Sequence, residues 1–150
     1  MLIGLVVSGN CFALDVAQCS NQKGKTYYPF VGMMDMKHSG WTDDGITGGM
    51  TTLSLVADNQ YDILFVDATK SITSSIQDGG KVFMLSRGAR DVSLIVIYEG
   101  KAAEIYTFLV DKSGKAEFTQ VTSRGGDKVM FPRTSIFRGD CKFVNLNLIK

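Results

Sequence analysis

Proline is nearly absent, with two residues in 150, and histidine and tryptophan occur once each, as His38 and Trp41. A chain this poor in proline and free of low-complexity tracts does not have the composition of a disordered segment. One histidine supplies too few imidazoles for a histidine-built metal centre, so no metal is expected. There is no Gly-x-x-x-x-Gly-Lys-Ser/Thr loop, no dinucleotide fingerprint and no Gly-x-Ser-x-Gly elbow. Phosphate-cradling, cofactor-binding and serine-hydrolase readings therefore have no motif behind them, and no cofactor is expected. No apolar run approaches the ~20 residues that a membrane-spanning helix needs. The net charge is only +1, with acids and bases mixed along the chain. Without a basic stripe interleaved with aromatics, nucleic acid is not an expected partner.

What the chain has in quantity is short apolar runs. They cover residues 51–57, 61–68, 81–86, 92–98, 103–110 and 117–122, and they are rich in Val, Ile, Thr, Phe and Tyr. These side chains fit a pleated surface. Turn residues separate most of them: Asp58-Asn59, Asp78-Gly79-Gly80, Arg87-Gly88, Glu99-Gly100 and Lys112-Ser113-Gly114. Such breaks are too short for crossover helices, so consecutive runs pair as antiparallel hairpins. The expected fold is all-β, an antiparallel barrel or sandwich of seven to nine strands, mostly connected as a meander. A strand with one wet face alternates apolar and polar residues, yet the runs 61–68, 81–86, 92–98 and 105–110 are apolar on both faces. Something other than water is expected to cover the second face: sandwich packing, a covering segment or a second subunit. The runs 51–56 and 117–122 do alternate and read as flanking strands with a solvated face. Residues 14–25 read as irregular, 26–34 as a first strand, and 70–77 suits either a helical turn or a strand.

The first thirteen residues differ in kind. Met1 to Val7 is uncharged and apolar, Ser8-Gly9-Asn10 interrupts it, and Cys11-Phe12-Ala13 resembles a signal-peptidase site. Residues 1–13 are expected to be a secretory signal remnant, residues 14–150 a single β-domain, and the protein periplasmic or secreted. Removal of Cys11 with the signal leaves Cys19 and Cys141, and an even pair in an exported domain reads as a disulfide.

Residues 35–49 form the longest stretch without a period and are read as a loop. They hold His38, Trp41, Asp43, Asp44 and four glycines, at 40, 45, 48 and 49. Trp41, His38, Asp43 and Asp44 are the candidate binding residues, with the tryptophan as a rigid contact ring and the acids as its polar rim. Trp41 as a plug at one end of the barrel is the structural alternative. The segments Ser86-Arg87-Gly88-Ala89-Arg90-Asp91 and Ser123-Arg124-Gly125-Gly126-Asp127 echo each other. They read as two similar turns, or as paired arginines for an anion. Asp67 and Glu104 are a conceivable carboxylate pair without supporting spacing. Arg138-Gly139-Asp140 spells an adhesion tripeptide that chance also produces.

In size, export signal and strand pattern the chain resembles small secreted bacterial β-domains with one disulfide, such as periplasmic lysozyme inhibitors and lipocalin-like barrels. No motif specific to either group is present, so no site residue carries over. The expected function is that of an exported, non-catalytic binding module for a protein partner or a small apolar ligand. The alternatives are a small hydrolase using His38 with loop carboxylates, and a structural subunit of an envelope assembly. A homo-oligomer through the apolar sheet face accompanies the last reading.

Overall fold

A computed structural model describes residues 13–67 and 69–150. The expected signal remnant and Cys11 lie outside the described residues, apart from Ala13. Nine antiparallel strands form one curled sheet, a half-barrel with almost no helix. They are β1 (Leu14–Tyr28), β2 (Gly40–Ala57), β3 (Gln60–Val66), β4 (Ile72–Ser74), β5 (Lys81–Arg87), β6 (Asp91–Tyr98), β7 (Ala102–Val110), β8 (Ala116–Arg124) and β9 (Arg133–Val144). Their spatial order is β4-β3-β2-β1-β9-β8-β7-β6-β5. Two meanders, β1–β4 and β5–β9, are thus joined where the first strand pairs with the last.

That junction carries the disulfide. Cys19 and Cys141 are register partners in the β1–β9 ladder, and their sulfurs are bonded at 2.00 Å. The same seam brings two backbones very close together. A Cβ built on Gly24 would fall 1.8 Å from the carbonyl oxygen of Ile136, so only glycine fits there. Farther along, the Val16 carbonyl accepts from the Asn145 N–H at 2.7 Å. This bond leads the chain into a 3-10 turn at Leu146–Leu148, whose N-cap Asn145 side chain accepts from the Asn147 N–H. Ile149 follows and is buried in the core.

The core lies on the concave face. Val16, Leu53, Ile63, Leu94, Phe108 and Phe118 are all fully buried. The rings of Phe108 and Phe118 stack with centroids 5.8 Å apart. Phe118 needs the space of a missing side chain, because a Cβ on Gly139 would sit 2.3 Å from its Cε1. The tripeptide Arg138-Gly139-Asp140 is therefore a piece of β9. Its arginine is paired with Glu117 and its aspartate with Lys115 at 2.9 Å.

The structure departs from the sequence reading at four places. Residues 14–25 are strand, because β1 takes its ladder bonds from β2 on one side and β9 on the other. Register shifts between Asp15 and Ala17 and between Ser20 and Gln22 break its alternation, so both Val16 and Ala17 are buried. The stretch 35–49 is a loop only as far as Ser39; from Gly40 onward it is the first half of β2. Residues 51–54 are buried at the middle of the sheet rather than at a wet flank, since β2 lies between β1 and β3. The expected first strand at 26–34 is strand only as far as Tyr28, where β1 ends. Of the two readings of 70–77 the strand holds, as a short edge strand at Ile72–Ser74 followed by a turn.

The two-sided apolarity has a direct spatial form. Phe83, Ile95, Ile105, Val121 and Ile136 are successive register partners across β5–β9. They form one row on the convex face, where Phe83 and Ile136 are 51% and 50% exposed. No described segment of the chain covers them.

The disulfide closes a sequence separation of 122 residues. Cys141→Ser is expected to cost ~2–5 kcal/mol of unfolding free energy. Urea denaturation of the oxidised wild type and the variant checks this, and equal midpoints would show that the seam holds without the bridge.

Candidate functional site

The concave face is graded from apolar to charged, and the gradient follows from strand register. The deepest row contains Val92, Phe108, Phe118 and Gly139. Next come Leu94, Tyr106, Gln120, Phe137, Gly24 and Asp44. Then follow Val96, Glu104, Thr122, Ser135 and Thr26, and the outermost row is Tyr98, Ala102, Arg124 and Arg133. Ile149 and its 3-10 turn pack at the apolar end. The other end holds a cavity of about 440 Å³.

Its lining carries two hydrogen-bond clusters. The Tyr106 hydroxyl donates to Glu104 Oε2 at 2.7 Å. Gln120 Nε2 donates to the Tyr106 hydroxyl at 3.2 Å and to Thr122 Oγ1 at 3.1 Å. On the adjoining strands Thr26 Oγ1 donates to Asp44 Oδ2 at 2.7 Å and lies 2.8 Å from Ser135 Oγ. Phe65, Ile46 and Phe137 add apolar surface. Burial raises the pKa of Tyr106 well above that of an ordinary phenol, and the Glu104 charge and hydrogen bond push it further up. Tyr98 is shifted up as well, by burial and by the charges of Glu104 and Asp78, against the lowering effects of Ser75 and Arg124. Both phenols are neutral donors at neutral pH. The cavity thus presents donors and acceptors side by side over an aromatic floor, a lining suited to orienting a small molecule.

The sequence candidates separate onto different surfaces. Asp44 lines the cavity. Asp43, one residue away, points to the convex face and pairs with Lys25 at 3.3 Å. Trp41 is also on the convex face, 61% exposed, with its ring 5.4 Å from that of Tyr27. It borders a shallow groove of about 610 Å³ lined with Lys25, Ile136 and Arg138. With this exposure it is not a core plug. His38 lies in the exposed 3-10 turn at Met36–His38, its Nδ1 3.8 Å from Asp35, outside the cavity lining. Asp67 is also outside; it accepts from Thr69 and Ser71 within its own turn, and these bonds lower its pKa. Glu104 is in the cavity, so the two carboxylates are not brought together.

Sequence reasoning missed Tyr98, Tyr106, Gln120 and Arg133 as cavity residues. The only signal for them was inward parity on strands whose apolar members were already evident. Among the described residues, no group of three or more His, Cys, Asp or Glu side chains is placed to hold a metal ion. No described helix is long and apolar enough to cross a membrane. No family model matches the chain, and no curated protein or solved structure is detectably similar to it.

The raised Tyr106 pKa links stability to alkaline pH. Above about pH 10 the unfolded chain releases this proton while the folded chain keeps it. Stability is therefore full below pH ~10 and falls above it, by up to ~1.4 kcal/mol per pH unit for one such proton. Tyr106→Phe is expected to be less stable at neutral pH, through the donor lost to Glu104, but to show a flatter decline above pH ~10. Urea midpoints measured across that range check it; parallel declines would show that Tyr106 does not carry the linkage.

Proposed function

We propose that the chain is an extracytoplasmic, non-catalytic binding module that holds a small ligand in the half-barrel cavity. The observation that carries this reading is the graded concave face. A sheet that needed only to pack its core would continue the apolar rows to both ends. Here the rows toward the open end carry Glu104, Thr122, Ser135, Arg124 and Arg133 beside Val96 and Ala102, in part hydrogen-bonded to the row beneath, and they border a cavity of about 440 Å³, a volume that suits a small molecule. The mixed lining favours a ligand with polar groups on an apolar body over a purely apolar one. The Cys19–Cys141 bridge is compatible with an oxidising compartment outside the cytoplasm. The position of His38 on an exposed turn gives the hydrolase alternative no supporting geometry.

Native mass spectrometry of protein purified from its own compartment, with thermal-shift screening of small polar metabolites, tests the reading. Binding should raise the melting temperature, by an amount that grows with ligand concentration. Thr73 is exposed on an edge strand and lines the cavity, so Thr73→Trp should obstruct the space without disturbing the floor. The variant should melt like the wild type and lose the ligand-induced rise. Retained binding in Thr73→Trp, or no ligand at all from either approach, would overturn the proposal.

A second reading, self-association or docking of a protein partner, is favoured by the convex apolar row. Apolar residues in register across five strands make a contiguous patch of the kind that usually marks an interface. Ile105 is at its centre. Sedimentation equilibrium should give a dimer or larger species for the wild type and a monomer for Ile105→Lys; a monomeric wild type at high concentration would exclude self-association.

A further inference from the structure

We infer that Arg124 and Arg133 form an oxyanion-binding pair at the cavity mouth, where they take the carboxylate or phosphate group of a small-molecule ligand. The inference rests on the reading of the cavity as the ligand site and assigns one chemical group of that ligand.

The two arginines are direct cross-strand partners on β8 and β9. Both line the cavity, in the row nearest solvent. Directly opposed like charges destabilise a sheet, because their Cβ atoms are only ~5 Å apart. Four cations on or beside other strands are neutralised, while among the described residues Lys23, Arg87 and Lys142 are, like this pair, on strands without an ion pair. Lys25 is paired with Asp43, Lys81 with Glu99, Lys115 with Asp140, and Arg138 with Glu117. Among the described residues, neither Arg124 nor Arg133 has a carboxylate ion pair or a side-chain hydrogen bond. The acids that share the cavity are Asp44, Asp78 and Glu104, and none of the three forms an ion pair with either arginine. Asp44 accepts from the Thr26 hydroxyl and the Gly45 N–H, and Glu104 accepts from the Tyr106 hydroxyl.

Two planar guanidinium forks on one ladder rung offer an oxyanion several charge-assisted hydrogen bonds from fixed directions. The anion also removes the repulsion between the forks, so binding and strain relief act together. Arg124 lines the cavity with Tyr98 and Tyr106, and its charge slightly opposes the upward shift of both phenols. The sequence echo between Ser86–Asp91 and Ser123–Asp127 suggested a paired-arginine site. The structure supplies a different partner for Arg124, its register partner Arg133: Arg87 is at the end of β5, and Arg90 Nη1 donates to the Asp111 carbonyl at 2.8 Å.

The test follows the arginine Nε–H signals by ¹⁵N NMR while inorganic phosphate and, separately, succinate are titrated in. Sodium chloride at matched ionic strength is the control. The Arg124 and Arg133 signals should shift together and saturate with at least one oxyanion, while the ion-paired Arg138 should stay in place. The oxyanion that saturates at the lower concentration identifies the preferred group. Arg133→Gln should weaken the interaction about tenfold or more. In chloride its melting temperature should equal or exceed that of the wild type, since a like-charge pair has been removed. Arg124→Gln should behave in the same way. No shift beyond the chloride control, undiminished binding in both variants, or a lowered melting temperature in both would overturn the proposal. If the oxyanions fail but a small molecule still binds in a manner blocked by Thr73→Trp, the anion assignment falls and the cavity reading stands. If neither is seen, both fall.

Discussion

Everything in this molecule depends on the ladder between β1 and β9. The strands β1–β4 and β5–β9 are local meanders, and each would be an open sheet on its own. Pairing the first strand with the last turns them into one curled surface with a single concave face. The pairing is also the most expensive to form, since it closes nearly the whole chain into a loop. Its stabilisation is correspondingly concentrated. The disulfide ties register partners in the ladder, Gly24 lets the backbones meet, and the Asn145–Val16 bond delivers Ile149 to the apolar end. In the chain-entropy model a bridge across so long a loop removes on the order of 5 kcal/mol from the unfolded state.

Closure fixes the gradient of the concave face. Once β9 is registered against β8, Gly139 must lie under Phe118 and Arg133 must oppose Arg124. The first juxtaposition is a packing solution, a ring occupying the space of a missing side chain. The second is a packing conflict, two cations on one rung. A single register thus produces both the tightest part of the core and its least satisfied rung, about three rows apart.

The strand runs from residue 51 to 124 and the Cys19–Cys141 pair were legible in the sequence, because turn chemistry and cysteine arithmetic are local or countable. The ends of the sheet were not. In β1 two register shifts place successive residues on the same side, so a period of two never appears. In the first half of β2 glycines and polar residues alternate with no apolar face, because one side looks into a wet cavity and the other into solvent. The candidate residues were chosen as neighbours in a loop. As neighbours in a strand they part company, with Asp44 inward and Asp43 and Trp41 outward. The cavity itself was invisible for a related reason: it is built from one or two residues on each of many strands, and only register assembles them.

The two faces of the half-barrel impose opposite demands on the same strands. On β7, Glu104 and Tyr106 serve the cavity while Ile105 between them stands on the convex row. On β9, Ser135 and Phe137 face in while Ile136 faces out. Strict alternation therefore lets one set of strands carry a polar interior and an apolar exterior at the same level of the sheet, the reverse of an ordinary soluble β-domain. At the closed end the order is normal, with Phe108 and Phe118 inside and the polar Thr107 and Thr119 on the convex side. The inversion is confined to the open end. It coincides there with the cavity, the arginine pair and the convex row, so the departures from simple core packing occupy one region of the fold.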